Sequence, residues 1–225
     1  MIKRAIEERI LNALAKKKVV TIMGPRQVGK STLAGAMIPK DAKVLEINGD
    51  NTDVQTMFVD VDESKMKVLI GNNNFLLVDE AQKIGNVGNM LKIVAEKFND
   101  IKVIVTGSSA FKLAAAVNES LTGRKREFRL YPLSFKEMAD DTSALEESRM
   151  IDHRLVYGYY PEVVTSPSDE KEVLKELIDS YLYKDVMEEN DIAKPDKLVK
   201  LVQALAFPIG STVSANELSG LVGVD

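Results

Sequence analysis

The run Gly24-Pro25-Arg26-Gln27-Val28-Gly29-Lys30-Ser31 constrains this chain more than any other segment. Its spacing is G-x-x-x-x-G-K-S, and its setting is the one such a loop requires. Apolar, β-branched Val19, Val20 and Ile22 precede it, and a helical pattern from Lys30 to Met37 follows. The glycines permit torsions and close approaches that a Cβ would block. The loop N–H groups, the start of the helix and Lys30 present positive potential to the β- and γ-phosphates of a nucleotide. Ser31 carries a hydroxyl suited to Mg²⁺, while Thr32 faces either the α-phosphate or the core. The expected phosphate cradle is therefore Gly24, Pro25, Arg26, Gln27, Val28, Gly29, Lys30, Ser31 and Thr32.

A second segment gives the loop a chemical partner. Phe75-Leu76-Leu77-Val78 is apolar throughout, as a strand inside a parallel sheet is, and it delivers Asp79 and Glu80 to the strand's C-terminal end. Open α/β sheets bind ligands at that edge. Asp79 is expected to hold Mg²⁺ together with Ser31, and Glu80 to act as the base that orients and deprotonates a water. Taken alone, the acidic pair could equally be the start of a solvated loop. With the upstream loop it favours hydrolysis over transfer to a small molecule, because only hydrolysis needs a positioned water.

Between and beyond these motifs, strand and helix patterns alternate. Lys43–Ile47, Ile101–Val105 and Glu127–Tyr131 read as further strands, with helices near Asn89–Phe98 and Phe111–Glu119. Such alternation gives a layered α/β sheet with right-handed crossovers. After Tyr131, Ser134 and Glu137 have capping-box spacing. Helical patterns then dominate: Glu170–Glu189, Asp196–Ala206 and Asn216–Leu221.

Composition excludes several alternatives. The 225 residues contain no Cys, so neither a disulfide framework nor a thiolate metal site can form, and a reducing cytoplasmic location is expected. Near the N-terminus Ile2, Ile6, Ile10 and Leu14 recur every four positions among charges, an amphipathic helix rather than a secretion signal. No apolar run approaches the ~18–20 residues of a membrane span. Net charge is -4, from 30 basic and 34 acidic side chains, which argues against a large nucleic-acid footprint.

Two further positions are candidates for the chemistry. The strand ending at Val105 runs into Thr106-Gly107-Ser108-Ser109, where Thr106 or Ser108 can reach a γ-phosphate or a water. A Gly-Ser turn capping the next helix explains the same residues. Arg124, Lys125, Arg126 and Arg129 form the densest basic cluster, and Arg124, beside Gly123 in a loop, is the candidate to stabilise charge on the γ-phosphate. The alternative is a solvated basic edge. His153 reads as a helix-surface residue, and Tyr157, Tyr159 and Tyr160 as packing between domains.

With these motifs placed, the sequence resembles the uncharacterised prokaryotic AAA-type P-loop ATPases. The matching stretches are GPRQVGKST at Gly24–Thr32, LLVDEAQKI at Leu76–Ile84, VTGSSA at Val105–Ala110 and LTGRKREFRLYPLSFKE at Leu121–Glu137, then GYYPEVV and YLYKDV. The resemblance implies an α/β P-loop NTPase three-layer sandwich with an additional-strand parallel sheet ordered 5-1-4-3-2, followed by a helical segment. It implies an ATPase domain over residues 1–165 and a helical region with the start of a winged-helix domain over 166–225. It also maps Lys30 and Ser31 to the phosphates and Mg²⁺, Asp79 to Mg²⁺, Glu80 to the base, Ser108 to the γ-phosphate sensor and Arg124 to an arginine finger.

Ser214–Leu221 looks like the first helix of a helix-turn-helix, with Gly223 in the turn. By that resemblance the sequence is expected to stop short of the recognition helix. No Lys or Arg occurs from Leu201 onward, so this chain is not expected to read DNA by that element. The expected function is Mg-dependent ATP binding and hydrolysis that moves an attached C-terminal module. The expected partners are ATP, a second copy supplying an arginine in trans, and a DNA or protein partner reached through the missing C-terminal part, with no membrane. The alternative is a nucleotide-gated binding module, or a DNA-associated regulator, with little turnover. ATP is expected rather than GTP: no N-K-x-D motif is present, which removes the strongest GTP signal without itself specifying adenine.

Overall fold

The apolar runs become five strands: β1 Val19–Met23, β2 Val44–Asn48, β3 Phe75–Asp79, β4 Lys102–Gly107 and β5 Lys125–Arg129. The computed structural model describes residues 1–108, 121, 123–183 and 195–223. The helix expected at Phe111–Glu119 lies outside them. The strands form one parallel sheet in the order β2-β3-β4-β1-β5, the expected 5-1-4-3-2 arrangement read from the other side.

Alternation along each strand divides the core into two layers. On one face Val20, Ile22, Phe75, Leu77 and Ile104 pack with Ile10 and Leu14 of α1 (Glu7–Ala15) and Leu33 and Ala34 of α2 (Lys30–Ala36). On the other, Val19, Met23, Leu76, Val78, Val103 and Val105 meet Met66 and Ile70 of α4 (Glu63–Ile70) and Met90, Leu91 and Val94 of α5 (Val87–Lys97). Between them, α3 spans Thr52–Met57. Leu76, Val78 and Ile104 are fully buried, and each such side chain contributes roughly 1.5–3 kcal/mol relative to exposure. This is a three-layer α/β sandwich, with helices on both faces of a parallel sheet.

Two boundaries differ from expectation. β5 starts and ends two residues early, because its register is set by β1: Val19 faces Lys125 and Met23 faces Arg129. Tyr131 has left the sheet and is 63% exposed. The helix expected over Glu170–Glu189 is α-helical only to Leu177 and turns π-helical over Ile178–Tyr183; its remainder lies outside the described residues.

The chain divides into two compact units, Met1–Thr165 and Ser166–Asp225. In the first, Ser134 and Glu137 form the capping box of the helix Phe135–Asp141. In the second, helices Pro195–Ala206 and Ala215–Val222 pack against each other, the latter ending on Gly223 in the left-handed conformation. Tyr159 makes contacts within the first unit. Arg154 lies over its ring at 5.7 Å, and Leu133 N–H donates to its carbonyl at 2.8 Å. Burial, and then the Glu147 carboxylate, push the Tyr159 phenol above its ordinary value.

Candidate functional site

All five strands run the same way, so everything that follows a strand collects at one edge. After β1 comes the loop Gly24–Ser31; after β3, Glu80; after β4, Ser108; after β2, Gly49. Parallel β-structure alone therefore brings together groups that lie tens of residues apart in the chain.

Gly24 has to be glycine, because a Cβ there would stand 2.2 Å from the carbonyl oxygen of Leu130. Gln27 adopts φ 57°, a left-handed torsion that costs a non-glycine residue about 1–3 kcal/mol. Lys30 is buried, and its Nζ donates to the Pro25 carbonyl at 2.8 Å, across the mouth of the loop. Pro25, Arg26 and Gly29 are partly buried, Val28 is fully buried, and Ser31 and Thr32 are exposed. Thr32 is thus not a core residue.

Ser31 Oγ donates to Asp79 Oδ1 at 3.1 Å, linking the loop to the acidic strand. The same carboxylate oxygen accepts from the Thr106 hydroxyl and, at 3.2 Å, from Glu80 N–H. Thr106 is fully buried and its hydroxyl is committed to Asp79, whereas Ser108, just past the end of β4, is half-buried. Glu80 sits in the left-handed region at φ 47°, ψ 44°. Its carboxylate accepts from Gln82 Nε2 at 2.6 Å, and the same nitrogen donates to Ser108 Oγ at 2.9 Å. Gly49 makes room for this turn, since a Cβ at that position would lie 2.3 Å from the Glu80 carbonyl oxygen.

Ser31 and Asp79 are hard oxygen donors within hydrogen-bond distance of each other, which fits Mg²⁺. That ion is ordinarily held by one or two protein groups plus substrate phosphates and water. Among the described residues no cluster of three or more His, Cys, Asp or Glu offers an all-protein cage.

Arg124 is not brought to this edge. Its backbone carbonyl accepts from Val19 N–H at 3.0 Å, where β1 begins, so it stands at the far edge of the sheet. The five residues of β1 separate it from the loop, about 16 Å at strand rise. Its guanidinium is bound to Glu96 Oε1 at 2.5 Å, and that hydrogen bond holds the Glu96 carboxyl below its usual range. Arg124 therefore stands away from its own chain's loop, because the register that pairs β5 with β1 carries it to the opposite end of the sheet.

A different arginine reaches the loop. Arg4 is buried, and donates from Nη1 to the Val28 carbonyl at 3.1 Å, from Nη2 to the Tyr131 carbonyl at 2.5 Å and from Nε to Glu137 Oε1 at 3.1 Å. Glu137 also accepts from Ala5 N–H and Ser134 N–H, each at 2.8 Å. Burial pushes its carboxyl up, but these N–H groups and the guanidinium outweigh burial and hold it below the ordinary range. The N-terminal segment, the Gly24–Ser31 loop and the exit from β5 are thus pinned to one buried ion pair. The capping box marked Glu137 in the sequence, but nothing marked Arg4, whose partner is 133 positions away. Gln82 and Gly49 were also missed; the first lies within the DEAQ run, two positions after Glu80.

Residues 16–139 match the family described as an AAA domain, and residues 134–225 match one described as a domain of unknown function. An uncharacterised protein of Methanocaldococcus jannaschii is 25% identical, over 97% of this chain and 53% of its own length. An uncharacterised protein of Haemophilus influenzae is 28% identical, over 64% of this chain and 37% of its own. The chain spans about half the length of the first and little more than a third of the second. A solved Walker-type ATPase of Pyrococcus abyssi superimposes with TM-score 0.55 and 16% identity, covering 99% of this chain and 88% of that one. That likeness is one of fold.

Proposed function

We infer the function from the premise that this chain belongs to the AAA domain family, whose general activity is nucleotide binding and ATP hydrolysis. We propose that it binds ATP with Mg²⁺ and hydrolyses the terminal phosphate. The observation that carries this reading is the 3.1 Å contact between Ser31 Oγ and Asp79 Oδ1, two residues 48 positions apart that meet beside the phosphate loop.

In this proposal Lys30 leaves the Pro25 carbonyl for the β- and γ-phosphates when nucleotide enters, joined by the N–H groups of Gly24–Ser31. Ser31 and Asp79 hold Mg²⁺, which neutralises charge on the phosphates. Glu80 takes a proton from a water aligned behind the γ-phosphorus. Water oxygen bonds to phosphorus as the bond to the β-phosphate oxygen breaks. Ser108 contacts the γ-phosphate. The base is assigned to an apolar hollow of about 160 Å³ beside Gly29 and Thr32, walled by Ile2, Leu33, Leu133 and Pro161.

The energy of hydrolysis moves an attached C-terminal module, of which Ala215–Val222 and Gly223 are the start of a winged helix. That module carries the DNA or protein partner, and a second copy of the chain supplies an arginine in trans. A cytoplasmic location belongs to the same proposal, and among the described residues no helix is long and apolar enough to cross a membrane. A nucleotide-gated binding module with little turnover is the second reading, favoured by the distance of Arg124 from its own loop.

Single-turnover hydrolysis separates the two. Glu80→Gln is expected to slow cleavage by roughly 10²–10⁴-fold with ATP affinity retained. Wild type cleaving no faster than this variant would sink the enzyme reading.

A further inference from the structure

Glu80 and Ser108 come from different strands, yet one side chain touches both. Gln82 lies in the single 3-10 turn Ala81–Lys83 that follows Glu80. The left-handed torsions of Glu80 fold the chain back, so that the side chain two residues on lies against the Glu80 carboxylate. A primary amide has two hydrogens on its nitrogen. Gln82 gives one to Glu80 Oε2 at 2.6 Å and the other to Ser108 Oγ at 2.9 Å. The reverse amide orientation would set a carbonyl oxygen against a carboxylate, so charge fixes which end is which.

This orientation carries a penalty. Gln82 Oε1 is buried and accepts no hydrogen bond among the described residues, and an unmet buried acceptor is unfavourable. The amide faces the site with its donor end all the same.

The consequence falls on Ser108. Its oxygen accepts from Gln82, so its own hydrogen must point elsewhere. A terminal phosphate offers acceptors only, and a hydroxyl held in this way meets it as a donor. We propose that Gln82 is a positioning residue that couples the base to the γ-phosphate contact. One amide hydrogen fixes the Glu80 carboxylate, and the other turns the Ser108 hydroxyl into a donor aimed at the terminal phosphate. Presence or loss of that phosphate is then felt at Glu80 through a single side chain. The inference rests on the reading that the loop binds a triphosphate with its terminal phosphate toward Glu80 and Ser108.

Binding alone tests it, with no need for turnover. Affinities for Mg-ADP and for the Mg complex of the β,γ-imido analogue of ATP are measured by calorimetry on the whole chain. The proteins are wild type, Gln82→Ala, Ser108→Ala, the double variant and Lys30→Ala. The expected result is a wild-type preference for the triphosphate analogue that falls about tenfold in either single variant and no further in the double. A merely structural role for Gln82 would weaken both nucleotides alike and leave their ratio unchanged, which would overturn the proposal. So would a preference that survives Gln82→Ala but not Ser108→Ala, losses that add in the double variant, or no preference in wild type. If Lys30→Ala binds both nucleotides as well as wild type does, the phosphate-loop reading itself has failed, and the coupling falls with it.

Discussion

At the C-terminal edge of the sheet, Ser31, Asp79, Thr106, Glu80, Gln82 and Ser108 are joined by hydrogen bonds that run inward from strand to strand. At the N-terminal edge of the same sheet, Lys17 meets Asp100 at 3.0 Å in largely exposed surroundings, and Arg124 meets a partly exposed Glu96 at 2.5 Å. Both edges are rich in charge, so charge alone does not mark a site. What separates them is support. At one edge the polar groups are chained to one another by hydrogen bonds, and a buried arginine braces the loop from behind. At the other the pairs are solitary, and solitary exposed pairs contribute little to stability. Linked polar groups in a low-dielectric setting hold one another in place. The supported edge is therefore the one fitted to hold a reacting group in place.

The sharpest test of that contrast is Arg4. Arg4→Met leaves Glu137 without its guanidinium in a site where both side chains are 8% exposed, and is expected to cost about 3–5 kcal/mol of stability. Chemical denaturation checks it, and a cost as small as that of an exposed pair would erase the distinction between the edges. A weaker effect comes with pH. Because the Glu137 carboxyl lies below its ordinary value in the folded chain, it contributes stability that is fully present above the unfolded value near 4.3. That contribution disappears as pH falls through the lower folded value. The stability gap between wild type and Glu137→Gln in urea should hold steady above about pH 5 and narrow below about pH 4. The smallest effect belongs to Arg124→Ala, which should change nucleotide affinity by roughly twofold or less. A large loss of affinity would place Arg124 at a phosphate after all. Unchanged affinity with slower turnover at high protein concentration would support supply from a second copy.

The sheet was legible in the sequence because its signals are local. Four consecutive apolar residues at Phe75–Val78, and β-branched residues before Gly24, specify strands without reference to anything distant. The loop and the acidic strand were legible for the same reason, as their spacing is short and each residue type has a separate chemical task. The support was not. Arg4 stands among ordinary charges of an amphipathic stretch, and only the fold shows that it meets Val28, Tyr131 and Glu137. Gln82 was visible as a letter but not as a bridge, because its second partner arrives on another strand. Arg124 shows the reverse: its residue type fits the role, but only the β1–β5 register shows that it lies at the other end of the sheet from its own chain's loop. Types and spacings announce what chemistry a chain carries, whereas contacts across the sheet decide which copies of a residue type take part.

The central claim is that Gly24–Ser31 grips nucleotide phosphates, with Lys30 as the charge that closes the grip. Calorimetric binding of Mg-ATP to wild type and Lys30→Ala tests it most directly, with circular dichroism confirming that the variant is folded. Loss of a charge-assisted contact predicts an affinity lower by roughly 10–100-fold. Equal affinity in the two folded proteins would contradict the account.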